Sequence, residues 1–124
     1  MMNELRKYLK NIIENATGWA THFLIAGNAR EIPYITFEFE ELLSDDAGKH
    51  IMEFTVDAWD KDTPYNVIEK VDALDKVFKF HKGTTDAFLV QIYLGASRQF
   101  IEDEDKTVVR LQRKYDLILY EKGV

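Results

Sequence analysis

Apolar side chains recur along this chain with two different periods, and each change of period marks a new element. Between Asn3 and Asn15, the residues Leu5, Tyr8, Leu9, Ile12 and Ile13 fall at helical spacing. That spacing predicts an amphipathic helix, with Asn3 as its cap and Gly18 as its end. The segment Trp19 to Ile32 keeps neither period and reads as an irregular connector. Within it, Phe23 to Ala26 is apolar enough for a short strand and Gly27-Asn28 is a turn signal. After Pro33 the period drops to two, with Ile35, Phe37 and Phe39 on one face and Thr36, Glu38 and Glu40 on the other. This is the pattern of a half-buried strand, and proline suits its first position. Ser44, Asp45, Asp46 and Gly48 then supply turn chemistry. Beyond them Met52, Phe54, Val56 and Ala58 alternate with Glu53, Thr55, Asp57 and Trp59. An antiparallel hairpin follows from that order.

The second strand of the hairpin, Lys49 to Lys61, passes almost without a loop into a helix. Thr63 is its expected N-cap and Pro64 its first helical residue, where a missing N–H costs nothing. Val67, Val71, Leu74, Val77 and Phe78 form the buried stripe, and Gly83 is the expected stop. Two further strands are predicted, Ala87 to Leu94 and Thr107 to Tyr120, the latter with Val109, Leu111, Tyr115, Leu117 and Leu119 mostly on one face. The stretch Ser97 to Lys106 between them contains four consecutive acids, Glu102 to Asp105, and reads as a solvated connector. The fold class expected is therefore α+β, an antiparallel β-sheet of about four strands with two α-helices packed on one face. A single domain over residues 1–124 is expected from the length.

The balance of 22 acidic against 16 basic side chains leaves a net charge of −6, which argues against a surface built to condense on nucleic acid or anionic lipid. The best local basic group, Arg110, Arg113 and Lys114, reads as the solvated positions of a strand. There is no cysteine, so no disulfide, thiolate site or thiol nucleophile exists, and a reducing cytosol suits the chain. No apolar run approaches the roughly 18 residues of a membrane span, and no membrane partner is expected.

Candidate chemistry narrows quickly. His22, His50 and His81 are isolated in sequence and form no ligand pair. Asp57, Asp60 and Asp62 invite a calcium reading, but counting from Asp60 puts Pro64 at the third ligand position and Tyr65 where a glycine is required. Glu38, Glu40 and Glu53 can meet across the hairpin, yet the alternation makes them the polar face of a two-stranded ribbon rather than an acid/base pair. No nucleophile elbow or phosphate-cradling glycine loop is present, and no catalytic residue, metal or cofactor is expected. Trp59 stands out because it shares the polar face with Glu53 and Asp57. A large aromatic there predicts a covering helix or a subunit contact.

Taken together, the N-terminal helix, the strand opening Pro33-Tyr34-Ile35-Thr36-Phe37 and the strand Phe54-Thr55-Val56-Asp57-Ala58-Trp59 form a pattern. So do the helix Tyr65-Asn66-Val67-Ile68-Glu69-Lys70-Val71 and the closing strand Val109 to Tyr120. The whole resembles the tail terminator or tail completion proteins of long-tailed bacteriophages and their prophages, over nearly the full chain. The resemblance implies a non-enzymatic structural protein of the virion tail, assembled in the bacterial host cytoplasm. It implies a homo-oligomeric ring, commonly a hexamer, that caps the tail tube and joins it to the head. The partners implied are the major tail tube protein and the head-tail connector proteins, with DNA only as cargo in the lumen. A ring closes through heterologous contacts, for which strand edges and loops are suited. The candidate assembly residues are Leu42, Leu43, Asp45 and Asp46 in the hairpin loop, Trp59, and Glu102, Asp103, Glu104 and Asp105 in the acidic connector. The competing expectation is a small α+β ligand-binding or enzyme domain, with a pocket lined by Trp59, Tyr93 and Tyr115.

Overall fold

A computed structural model of the chain describes residues 1–24 and 31–123. In chain order its elements are α1 (Met2–Thr17), β1 (Thr21–Phe23), β2 (Tyr34–Ser44), β3 (Lys49–Lys61), α2 (Tyr65–Phe78), β4 (His81–Thr84), β5 (Phe88–Ile101) and β6 (Val108–Glu121). The strands form one six-stranded sheet in the order β1-β2-β3-β6-β5-β4. All neighbours are antiparallel except β1 and β2, which run parallel. The sheet is therefore mixed, curled and broader than the four-stranded antiparallel sheet that the periodicity predicts.

The two additional strands are short edge strands that carry no alternating signal. The Phe23 ring of β1 packs on Phe37 and Phe39, and the backbone pairs with β2: the Ile35 amide donates to Ala20 O and the Leu24 amide to Phe37 O, each at 2.8 Å. β4, His-Lys-Gly-Thr, lies against β5 in the same way, and Gly83 sits inside it rather than stopping a helix. α2 instead ends at Phe78, after which Lys79 is extended and Phe80 has φ 56°. The expected connector from Ser97 also gives way, because β5 continues through a register shift between Leu94 and Arg98 as far as Ile101. At the helix starts, α1 begins at Met2 without a side-chain cap, so Asn3 lies inside it. α2 begins at Tyr65, with the Thr63 hydroxyl accepting the Tyr65 amide at 3.3 Å. Of the predicted strand Phe23 to Ala26, only Phe23 lies in β1, and Ile25 and Ala26 fall outside the described residues.

Both helices cover one face of the sheet. Leu5, Leu9 and Ile13 of α1 and Val67, Val71, Leu74 and Phe78 of α2 are fully buried against alternate residues of the strands. Val77, expected in that stripe, is 36% exposed. Phe54 sits in the middle, with ring centroids of Phe37, Phe78 and Tyr115 at 6.2, 5.2 and 5.5 Å. Each such burial stabilises the fold by about 1.5–3 kcal/mol. The opposite face of the sheet carries no helix among the described residues.

Candidate assembly surfaces

On the face away from the helices, strand alternation places Glu38 and Glu40 of β2, Glu53, Thr55 and Asp57 of β3, and Gln112 and Lys114 of β6 side by side. All of these but Asp57 line an open depression of about 370 Å³. Lys114 Nζ lies 3.2 Å from Glu53 Oε1, so one of the three glutamates is neutralised by an ion pair. Asp57 is only 6% exposed although no helix among the described residues covers it. It accepts hydrogen bonds from Arg110 Nε at 2.9 Å and Gln112 Nε2 at 3.2 Å, which offsets its desolvation.

Arg110 links this polar strip to an aromatic corner. Its guanidinium lies 4.6 Å from the centre of the Trp59 ring. Trp59 also stacks on Tyr34, with ring centroids 5.8 Å apart and an interplanar angle of 26°. Its indole N–H donates to Thr36 Oγ1 at 3.1 Å. Among the described residues no second helix covers it; the ring is packed by strand neighbours and stays half exposed. Burial raises the Tyr34 hydroxyl above its usual pKa, and the negative charge of Asp103 pushes in the same direction. That second effect places the acidic connector beside the Trp59 corner. Within the connector the acids build the turn. Asp103 Oδ1 accepts the Asp105 amide, and Asp105 Oδ1 accepts both the amide and the hydroxyl of Thr107 at 2.9 and 2.8 Å. The bond from the Thr107 amide, seconded by its hydroxyl, holds the Asp105 carboxyl below its ordinary pKa.

The hairpin loop lies at the other end of the sheet. Leu42 and Leu43 are 58% and 61% exposed, at a register shift between Glu41 and Leu43. Asp45 Oδ1 accepts the amides of Ala47 and Lys49, which closes the turn, and Asp46 is exposed beside it. β3 spans the distance between the two ends with 13 residues, or roughly 40 Å at the rise of a strand. The structure therefore splits the candidate assembly residues in two. Leu42, Leu43, Asp45 and Asp46 occupy one end; Trp59 and Glu102 to Asp105 occupy the other.

The aromatic pocket expected from Trp59, Tyr93 and Tyr115 does not form. Tyr115 is fully buried on the helix side, while Trp59 and Tyr93 belong to the opposite face. Tyr115 instead joins a cluster that sequence reading missed. Asp75 Oδ1 accepts from Tyr115 Oη at 2.8 Å and Arg113 Nε at 3.0 Å, and Asp75 Oδ2 from Arg98 Nη1 at 3.1 Å. Arg98 also reaches Asp72 at 2.7 Å. The three donors lie 23 to 40 positions from Asp75, so only the fold brings them to it. The histidines likewise find partners no spacing rule reveals. His50 sits between Glu41 and Glu121, and His81 Nε2 meets Tyr8 Oη at 2.7 Å. Among the described residues, no group of His, Asp and Glu is arranged to hold a metal. Nor is any helix long and apolar enough to cross a membrane.

The class the architecture defines is a six-stranded mixed sheet with two helices on one face. No protein-family model and no curated protein matches the sequence. The fold is similar to that of a chain in the solved virion of a native gene transfer agent (GTA) particle. The TM-score is 0.62 at 8% identity, covering 87% of this chain and 84% of that one. At this identity the likeness is one of fold.

Proposed function

We propose that this chain is a virion structural protein, and specifically a tail terminator or tail completion protein that closes as a ring on the tail tube and joins it to the head. The observation that carries this reading is the fold shared, over most of both chains, with a component of a gene transfer agent virion. The tail-terminator role itself rests on the sequence pattern that runs from the N-terminal helix to Tyr120. Two separated exposed clusters also suit a ring component, which must meet different neighbours through different surfaces. In this reading the hairpin tip, from Leu42 and Leu43 at the end of β2 to Lys49 at the start of β3, and the Glu102–Lys106 connector reach the neighbouring copy or the tube. With a net charge of −6 per copy, a ring lumen is acidic and lets DNA pass without adhering.

The test is native mass measurement and electron microscopy across a concentration series, followed by capping of purified tail tubes. A concentration-dependent ring that binds tube ends is expected, and deleting either loop weakens it. A strict monomer, or loop deletions that leave ring assembly and tail joining intact, overturns the reading. A reconstructed ring with a basic channel overturns the lumen argument.

A further inference from the structure

The two edges of the sheet are covered in complementary halves. On one side β1 pairs only with Ile35 to Phe37 of β2, so β2 from Glu38 to Ser44 has no outer partner among the described residues. On the other side β4 pairs only with Leu89 to Ile92 of β5, so β5 beyond Ile92 has none among the described residues. The open half of β2 lies at the hairpin end and the open half of β5 at the Trp59 end. We infer that these open half-edges pair with each other between successive copies of this chain, β2 of one copy antiparallel to β5 of the next. This inference rests on the ring reading above and names the surface that closes it.

Strand sense, hydrogen-bonding phase and side chains agree on one register. β2 and β5 run in opposite directions within the sheet, because β2 is antiparallel to β3, β3 to β6 and β6 to β5. Two copies standing the same way up therefore meet in the antiparallel sense. Ile35 and Phe37 direct their backbone groups outward to β1, so by alternation Phe39 and Glu41 do the same on the open half. Phe88 directs its carbonyl outward to Thr85. Alternation carries that phase through Leu94, and because Leu94 and Arg98 face Tyr115 and Arg113, two residues apart on β6, it reaches Arg98 and Phe100 as well. Setting Phe39 opposite Phe100 sets Glu41 opposite Arg98, and all four then exchange backbone hydrogen bonds across the seam. Phe39 is half-buried and Phe100 is 52% exposed, both on the helix-bearing face, so the pairing covers an aromatic side chain now left to solvent. The charges of Glu41 and Arg98 are opposite, but each already has partners in its own chain, His50 and Asp72 with Asp75. The aromatic pair is the main side-chain contribution.

The stagger of the two half-edges matches what ring closure needs. Phe39 lies opposite Phe54 of β3, whereas Phe100 lies opposite Leu111 of β6, which faces Ala58 of β3. Each copy is thus shifted along the strands by four residues, roughly 13 Å, across four strands that together span about 19 Å. Copies held at one height then carry their strands at about 35° to the ring axis, within the range of closed sheets, about 35–45°.

Because the chain has no cysteine, the register can be read by cross-linking. Phe39→Cys combined with Phe100→Cys puts two thiols in a directly opposed pair, whose Cα separation of about 5.5 Å a disulfide accepts. Within one copy the same positions are three strand spacings apart, roughly 14 Å, and cannot join. Treated with diamide and run on a denaturing gel, the double variant should give a ladder of covalent multimers. Neither single variant should pass a dimer. Multimers by native mass without a ladder overturn the edge pairing while leaving the ring reading standing; a monomer at every concentration overturns both. Phe100→Pro provides the second arm, since it removes an outward amide and no bond within the sheet. It should leave the far-UV circular dichroism unchanged and abolish multimers. Assembly unchanged in Phe100→Pro overturns the inference.

Discussion

Replacing Asp75 by alanine tests whether the cluster at the end of α2 locks that helix to β5 and β6. The substitution removes the acceptor of Tyr115 Oη, Arg113 Nε and Arg98 Nη1 together. Tyr115 is fully buried, and both burial and the Asp75 carboxylate raise its pKa far above the usual range, so it is a permanent donor that needs an acceptor. Leaving it unmet costs about 1–3 kcal/mol. Arg113 is 9% exposed and keeps the Ser97 carbonyl at 3.2 Å as its hydrogen-bond acceptor among the described residues. Stripping the partner from a buried ion costs about 3–5 kcal/mol, and the partial exposure of the cluster discounts that toward its lower half. Arg98 is more exposed and retains Asp72, so it adds little. The sum is about 4–7 kcal/mol. With an unfolding entropy of about 2.1 cal/mol/K per residue over the 124 residues, Tm should fall by roughly 15–27 °C in calorimetry. Adding Arg113→Met should recover part of the loss, because the stranded charge leaves with it. A fall of less than about 5 °C, or no recovery in the double variant, refutes the buried-cluster argument.

Gly95→Ala should destabilise the fold by about 1–3 kcal/mol in urea titration, since the added Cβ would stand 2.3 Å from the Lys114 carbonyl oxygen, a backbone atom that cannot move aside alone. His81 has its pKa lowered from 6.5 by burial, so between that value and the lower folded one the unfolded chain binds a proton that the native chain does not. Stability is therefore retained above about pH 6.5 and falls as the pH drops below it. His81→Gln should flatten the Tm profile between about pH 7 and 5.5, and an unchanged slope would assign it to other groups. Leu42→Ser with Leu43→Ser alters side chains that are more than half exposed, so Tm should move within the range of about 0.5 kcal/mol typical of surface sites. Multimer formation by native mass should nonetheless weaken.

Much of the architecture was legible because it rests on local period and turn chemistry. The alternation from Tyr34 to Phe39 and from Met52 to Ala58 fixes which face of each strand is buried, and the cluster Ser44 to Gly48 fixes where they reverse. The stripe Val67, Val71, Leu74 and Phe78 likewise determines which side of α2 meets the sheet. These signals lie within a few residues of one another, so a single strand or helix suffices to display them. The two edge strands and the extension of β5 carry no such signal. Thr21 to Phe23, His81 to Thr84 and Arg98 to Ile101 are strands because a neighbour presents unpaired backbone groups to them, and backbone pairing leaves no imprint on side-chain type. The surfaces follow the same division. That Leu42, Leu43 and the acids of Glu102 to Asp105 face solvent is written in the sequence. That they lie some 40 Å apart, that Trp59 joins the acidic end, and that Tyr115 turns away from it to meet Asp75 were decided only when the strands took their order. Strand order sums many weak long-range contacts between residues far apart in the chain, and no local pattern encodes that sum.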